Sequence, residues 1–596
     1  MVLSQVINQL ANPNTYSNRR RRLYIPPSTN YPLFSYGGGD DQRSFLSLDE
    51  SSSFFMGQDD GSDVASINSS RSLPSTLSSL PTSEDQESFH SWLQEEHARR
   101  YSAINDNDSL GRRSYGSRST RQSGKTGQSL VGVEDFSRLR TNYSREGKML
   151  LRYSLPLIVT FVLEHFFSIV CLLVVGHLGK NELAAVSLGS MTSTISLAIF
   201  EGIATALDTL CPQAYGAGNL DMVSTHVQRC MMFSMLIFIP VALFWWNSHY
   251  LLRYVIQEQQ VLELTSLFLR IFILGGPPYI FFECFKRFLQ AQGIFEAGTG
   301  VLFVSAPINI ALSWFLVWNK TYGIGYAGAP IATVINFWVM DILLVLYTVF
   351  IDGKQCWNGF CSFSDLFRKW GQLSHLAVPG IVMLESEYVA YEIMTLFASY
   401  FGTVELAAQS AVGSIASLTY MVPFAVSIAA STRIANFIGG QNIFSAQKAT
   451  NMSLVLGLCV ATLNGLVLWS AKGFIARLFT KDDDVVALIE SLLNPLVSVL
   501  QIFDGAASVA SGVLRAQGQQ KIGGVINFLS YYAFGLPLAL VLSEILDLKL
   551  FGLWIGIGSG MVLISLSETI FILSSDWDAI MMKAGLMNDS DSDVSV

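Results

Sequence analysis

Twelve long apolar runs, parted by short polar breaks, fill the chain from about residue 150 to about residue 575. A helix that crosses a bilayer needs about 20 mostly apolar residues. The runs lie at about 153–175, 184–213, 224–247, 263–288, 297–319, 327–351, 373–400, 407–436, 450–470, 487–515, 522–544 and 551–575. Several are longer than a bilayer requires, which tilt or extension beyond the headgroups accommodates. Composition agrees: charged residues are 14% of the 596, against roughly 25% in soluble proteins. The expected fold is an all-α integral membrane protein with twelve transmembrane helices.

The first quarter is different. Residues 1–145 are rich in Ser, Asn, Arg and Gly, with no sustained apolar period. Such a segment buries too little apolar surface to offset its ordering entropy, so a disordered N-terminal tail is expected. Met1–Leu10 has neither the basic start nor the apolar core of a signal peptide. Arg19–Arg22 reads first as a solvated basic run, and alternatively as a targeting signal or an anionic-lipid patch. The serines beside Arg112 and Arg113 are candidate phosphorylation sites. Gly124-Lys125-Thr126 is not a phosphate loop, because the required upstream glycine is Ser119. The net charge of −9 argues against nucleic acid, which needs a basic surface. Seven scattered cysteines imply no disulfide framework.

The expected division is a cytosolic tail (1–145), a first six-helix lobe (150–351), a cytosolic linker (352–372), a second six-helix lobe (373–575) and a short acidic cytosolic tail (576–596). Lys and Arg set the orientation. With both termini cytosolic, eleven cations, including Lys286, Arg287, Arg433 and Arg515, fall at the cytosolic ends and eight on the other side. The basic first tail strengthens that choice. Asn319-Lys320-Thr321, a glycosylation sequon, then lies on the non-cytosolic side.

The two lobes repeat each other at an offset of 223. Glu182-Leu183-Ala184-Ala185 recurs as Glu405-Leu406-Ala407-Ala408. Ser187 matches Ser410, Thr209 matches Thr432, Gly216 matches Gly439, Asn219 matches Asn442, Pro156 matches Pro379 and Glu164 matches Glu387. Later the offset drifts to 225, pairing Leu289-x-Ala291-Gln292-Gly293 with Leu514-x-Ala516-Gln517-Gly518. Six helices per repeat is an even number, so both halves enter from one side. They are pseudo-symmetric about an axis along the membrane normal, an architecture of secondary transporters that work by rocking one lobe against the other. Pro156 and Pro379 are either hinges or ordinary helix-start prolines.

Carboxylates are the residues out of place. One at mid-bilayer costs about 2.5–3.5 kcal/mol on insertion scales. Helix seven carries Glu385, Glu387 and Glu392, and Asp504 and Glu164 are similarly deep. Asp208, Glu283, Asp341 and Glu568 lie in or near apolar runs, and Asp208, Asp341 and Glu568 read first as structural. No equal supply of Lys or Arg in the runs is expected to pair the carboxylates. Carboxyls out of water and unpaired can exchange protons near neutral pH, and their cavity attracts organic cations. Glu385 and Glu392 share a helical face, whereas Glu387 is about 140° from Glu392. Tyr388, one turn from Glu392, can hydrogen-bond it or stack on a cation.

Together these pieces resemble a known family. Val175-Gly176-His177-Leu178-Gly179, Asp208-Thr209-Leu210, Gln213-Ala214-Tyr215-Gly216, Glu387-Tyr388-Val389-Ala390-Tyr391-Glu392 and Gly512-Val513-Leu514-Arg515 with Gln517-Gly518 occur in order over about 425 residues. The region resembles the multidrug and toxic compound extrusion (MATE) transporters, most of all their fungal members. The resemblance implies twelve helices in two lobes and export of small organic compounds in exchange for protons or sodium, on a vacuolar or plasma membrane. It places the family's helix-seven glutamates on Glu387 and Glu392 and its helix-ten acid on Asp504, the expected coupling and substrate cluster. Where the family often has a helix-eight glutamate this chain has Gly413, and Tyr388 and Val389 replace paired tryptophans. Glu385 is extra and can take over part of the role.

The expected activity is therefore a proton-coupled antiporter of small, cationic organic compounds, monomeric in the bilayer and without a bound cofactor. Each pH unit supplies about 1.4 kcal/mol per proton. Sodium coupling is the alternative. A lipid flippase would suit a basic cavity, whereas the deep charges here are mostly acidic. An enzyme is not expected: the seven histidines show no metal spacing, and Asp482-Asp483-Asp484 reads as a cap to helix ten.

Overall fold

The computed structural model describes residues 136–592, apart from 177, 255, 257 and 481. The tail up to residue 135, with Arg19–Arg22 and the serines beside Arg112, lies outside the described residues, as does His177 of the first motif.

In lipid every backbone polar group must be satisfied within its own segment or its neighbours, and the apolar runs answer with helices. Twelve long ones follow in order: α1 (Tyr143–Val175), α2 (Lys180–Ala204, continued as Leu207–Gly216), α3 (Leu220–Trp246), α4 (Gln259–Phe272, continued as Gly276–Ala291), α5 (Glu296–Trp318) and α6 (Gly328–Phe350) form the first lobe. The second is α7 (Trp370–Phe401), α8 (Thr403–Gly439), α9 (Ile443–Phe479), α10 (Asp483–Leu492, continued as Ser498–Ala516), α11 (Gln520–Phe528, continued to Ile545) and α12 (Lys549–Leu573). Among the described residues, eleven are long and apolar enough to cross a membrane. The exception is α7, 32 residues long, whose three glutamates lower its hydropathy. Asp482 caps α10 as its position suggested, its Oδ1 accepting from the Asp484 and Val485 amides at 3.0 and 3.3 Å.

Pro156 and Pro379 lie well inside α1 and α7, several turns past the first residue, so neither is a helix-start proline. The Pro156 carbonyl accepts from Thr160 Oγ1 at 3.0 Å and Thr299 Oγ1 at 2.8 Å, tying α1 to α5.

The repeat is visible atom by atom. Gly293 and Gly518 both end their helices with positive φ (80° and 67°). Each is followed by the same pair of bonds, Gly293 N to Gln290 O and Ile294 N to Leu289 O, then Gly518 N to Arg515 O and Gln519 N to Leu514 O. This is the left-handed glycine ending that a Cβ would strain. The ends of α2 and α8 cross where the repeat pairs Gly216 with Gly439. A Cβ on Gly216 would strike the Asn436 carbonyl, and one on Gly439 the Gln213 carbonyl. Gln213 and Asn436 are themselves 223 apart, so the crossing is symmetric. Across the lobes α2 packs on α7 and α8, and α1 packs on α8.

The face where both chain ends emerge, the tail face, carries three further elements. Phe136–Asn142, at the end of the segment expected to be disordered, pack on the second lobe: the Asn442 amide donates to Phe136 O (3.0 Å) and Leu139 O (2.6 Å), and Ser445 Oγ to Leu139 O (2.6 Å). The 352–372 linker is tied to α3 through Gln228 Nε2 to Gly359 O (2.9 Å) and Arg229 Nε to Asp365 O (2.9 Å). The expected short acidic tail is a helix, α13 (Trp577–Ser592), held by Gln441 Nε2 on Met581 O at 3.0 Å.

Candidate functional site

The deep carboxylates fall into two groups. In the first lobe Glu164, Glu283 and Asp208 are paired, whereas Asp341 of α6 has no ion-pair partner among the described residues and its Oδ1 accepts no hydrogen bond. Lys286 Nζ lies 2.6 Å from Glu283 Oε1 and 3.1 Å from Glu164 Oε1. Arg287 holds Glu283 Oε2 at 2.5 Å and Asp208 Oδ1 at 3.2 Å. Lys286 and Arg287 are one turn from Glu283 on α4, so a single helix supplies the centre of the network. These side chains are buried, except that Glu164 is 26% exposed. The sequence-based expectation of too few cations is thus corrected for this lobe. Lys286, Arg287 and Arg515 lie at helix ends as the charge count placed them, but those ends are inside the protein. Glu164, expected as a coupling residue, is an ion-pair partner. Glu201 of α2, which the sequence reading passed over, belongs here too, with Glu283, Arg287 and Lys286 as its charged neighbours.

The same network reaches the second lobe. Arg515 Nε of α10 is 3.5 Å from Asp208 Oδ2. Beside it Thr209 Oγ1 donates to Arg515 O (2.5 Å), Gln213 Nε2 to Ala516 O (3.0 Å) and Gln520 Nε2 to Thr209 Oγ1 (2.7 Å). A second cross-lobe pair joins Arg433 to Glu146 at 3.1 and 3.2 Å, with both side chains at most 1% exposed. All these residues lie at the tail-face ends of their helices, so together they form a clasp that closes that face.

In the second lobe the carboxylates have hydroxyls and amides for company. Glu387 has Tyr420 beside it, and its charged neighbours are Asp504 and Glu568. Asp504 Oδ2 accepts from Gln501 Nε2 at 3.1 Å, and Gln501 Oε1 from Thr419 Oγ1 at 2.9 Å. Glu568 Oε2 accepts from Ser511 Oγ at 2.8 Å. Tyr391 and Tyr531 border the same pair of acids. Among the described residues no Lys or Arg is within ion-pair distance of Glu387, Asp504 or Glu568.

The expected trio divides. Glu387 and Asp504 are brought together, but Glu392 stands apart, half-buried and without a charged neighbour among the described residues. The 140° between Glu387 and Glu392 explains this, because α7 runs through both positions as one continuous helix. Glu385 looks instead toward Glu201 of the opposite lobe. Tyr388 lies among Glu201, Glu385 and Glu387 rather than against Glu392. At Gly413, where an added Cβ would meet only Gln409 Nε2 at 4.0 Å, the position of the missing acid is open space.

Known proteins share this sequence and this architecture. The MatE profile matches residues 156–315 and 379–541, once in each lobe. An uncharacterised transporter of Saccharomyces cerevisiae, YDR338C, is 51% identical over 461 residues, covering 77% of this chain and 66% of its own length. Multidrug and toxin extrusion protein 2 of Mus musculus is 31% identical over 464 residues, 77% of this chain and 80% of the mouse protein. The crystal structure of the eukaryotic MATE transporter AtDTX14 superposes with a TM-score of 0.70 at 28% identity, covering 74% of this chain and 98% of that one. The two matched repeats, the mouse relative and the shared twelve-helix architecture agree: the chain belongs to the MatE family of membrane transporters.

Proposed function

We propose that this transporter exports small organic cations from the cytosol in exchange for protons, with Glu387 and Asp504 as the shared binding site. The observation that carries this is the absence, among the described residues, of a fixed cation beside those two acids, while Glu164, Glu283 and Asp208 of the first lobe have theirs. Fixed ion pairs cannot bind and release a cation without leaving a charge stranded in low dielectric. Glu387 and Asp504 can be neutralised by a proton or by a positively charged ligand, and the two compete for one charge balance. Tyr391, Tyr420 and Tyr531 supply ring faces suited to an organic cation. The tail face is the cytosolic one, on the positive-inside rule. With its clasp closed, the site is offered to the other side of a vacuolar or plasma membrane. There a proton displaces the ligand, and the neutralised carrier returns. The extrusion activity in the names of the vertebrate relatives supports the direction.

The test uses proteoliposomes with an imposed pH gradient and a fluorescent organic cation. Gradient-driven uptake is expected for the wild type and background uptake for Glu387→Gln at equal folded protein. Uptake driven by a sodium gradient and indifferent to pH would replace the proton in this scheme. Uptake unaffected by the substitution would remove Glu387 from it.

A further inference from the structure

The chain that leads into the first lobe is held by the second. Residues 136–142 run directly into α1, yet they are bound by α9 and the turn before it. Besides the bonds from Asn442 and Ser445 to Phe136 O and Leu139 O, Lys448 Nζ donates to Thr141 O at 3.4 Å. Thr141 is buried, and its Oγ1 donates to Glu146 Oε1 at 2.6 Å, the atom that also accepts from Arg433 Nη2 across the lobes. At the other end Phe136 is buried between the lobes. Its ring meets Tyr215 of α2 edge-on, 6.3 Å between centroids, and Phe437 of α8 edge-on at 5.9 Å. The Arg433 guanidinium lies over the same ring at 5.7 Å. Gly440 leaves room for it, since an added Cβ there would strike Phe136. Tyr215 adjoins Gly216, and Phe437 lies two residues before Gly439, so the ring sits at the symmetric crossing of α2 and α8. The 352–372 linker must touch both lobes because it joins them. Nothing in the connectivity asks this of residues 136–142.

From this placement we infer that residues 136–141 are a strap that locks the two lobes together at the tail face, with Phe136 as its wedge and the Asn442 amide as its catch. The inference rests on the reading of the tail face as a gate that opens and closes, and not on the identity of the coupling ion or the cargo. When that face parts, α2 and α8 separate, and Phe136 loses one of its two aromatic walls. Burial of a large apolar ring therefore favours the closed face. The strap weights the balance toward that state, and its release accompanies each opening. α13 braces the same place: its Ile580, Met581 and Ala584 are buried, and it packs on α8, α9 and the Leu207–Gly216 part of α2. The catch can be opened one atom at a time. Asn442 Oδ1 accepts from Ser445 N at 3.1 Å and caps α9, while Nδ2 holds the two strap carbonyls. An aspartate keeps the capping oxygen but turns a second oxygen, with no hydrogen to donate, toward both carbonyls. Asn219, the repeat partner at the start of α3, makes no side-chain cap bond.

The measurement is the distance between spin labels on Ala217 and Lys521, exposed positions on the two lobes at the tail face. It is made on the full chain in nanodiscs at one fixed pH, with Cys361 and Cys459 replaced. In Asn442→Asp and in Phe136→Ala the ratio of open to closed tail face is expected to rise about tenfold over the wild type. Phe136→Leu, which keeps a large apolar side chain, should stay near the wild type, and Asn219→Asp should leave the ratio unchanged. A wild-type ratio in both Asn442→Asp and Phe136→Ala would overturn the strap, even if both melt lower, because a segment that serves packing alone lowers stability without favouring the open face. A rise in Asn219→Asp equal to that in Asn442→Asp would overturn it as well, since the first lobe has no such strap to release. The exchange site is judged separately. If Glu387→Gln exchanges normally while these ratios shift, the proposed site falls and the strap stands.

Discussion

The two lobes share one repeat, yet they treat the matching acids Glu164 and Glu387 in opposite ways. In the first, Glu164, Glu283 and Asp208 are held by Lys286 and Arg287 at 2.5–3.2 Å. In the second, Glu387, the repeat partner of Glu164, has Tyr420 and two other acids. The same position is thus an ion-pair member in one copy and an acid without a fixed cation in the other. A buried acid held by a fixed cation gives up that partner only at the cost of a stranded charge. An acid beside hydroxyls changes its charge with what binds. The comparison separates a first-lobe network built on fixed ion pairs from the second-lobe acids proposed as the exchange site.

The largest expected effect is on the frame. Arg287→Met removes one cation from two buried acids. Breaking a buried pair from one side costs about 3–5 kcal/mol, so thermal melting of the purified protein should fall steeply. Arg433→Met should behave similarly, because it strands Glu146. The double variant Glu146→Leu with Arg433→Met should recover most of that loss, since neither charge is then left unpaired. Recovery in the double variant would show that the single-variant loss is the cost of a stranded charge and not the net worth of the pair.

A middle-sized effect is expected at the symmetric crossing. Gly216→Ala and Gly439→Ala each push a methyl into a carbonyl of the other lobe. Overpacking of this kind costs about 1–3 kcal/mol. Spin-label distances across the tail face should lengthen to a similar degree in both variants. A large effect from one and none from the other would show that the clasp is less symmetric than its glycines.

The smallest effect is expected at Gly413. The added methyl of Gly413→Ala has open space, and helix propensity favours alanine by about 1 kcal/mol. Stability should rise slightly, with exchange unchanged. A marked loss of exchange would mean that this space is occupied by the transported compound.

Much of this was legible in the sequence. Run length alone gave the helices, since lipid leaves the backbone few choices. The offset of 223 located Gly216 and Gly439 as partners before their contact was known. The helix start at Tyr143, ahead of residue 150, and the helical end at Trp577–Ser592 were not legible, because polar segments order only against partners that a linear reading cannot see. The acids were found by the same rule that flags any charge in an apolar run. Glu201 carried that signal and was passed over. Which acids meet which cations was hidden, because Lys286, Arg287 and Arg515 look like solvated helix ends until tertiary contact buries them. The 140° separation of Glu387 from Glu392 was visible in the numbering and already argued against one cluster.

The most direct test sets the repeat partners side by side: proton-coupled exchange in proteoliposomes by Glu387→Gln and by Glu164→Gln, each normalised to folded protein. Glu387→Gln is expected to melt close to the wild type and to exchange nothing above background. Glu164→Gln is expected to melt lower and still exchange, molecule for molecule. Exchange retained by Glu387→Gln and lost by Glu164→Gln would contradict the division of labour between the lobes.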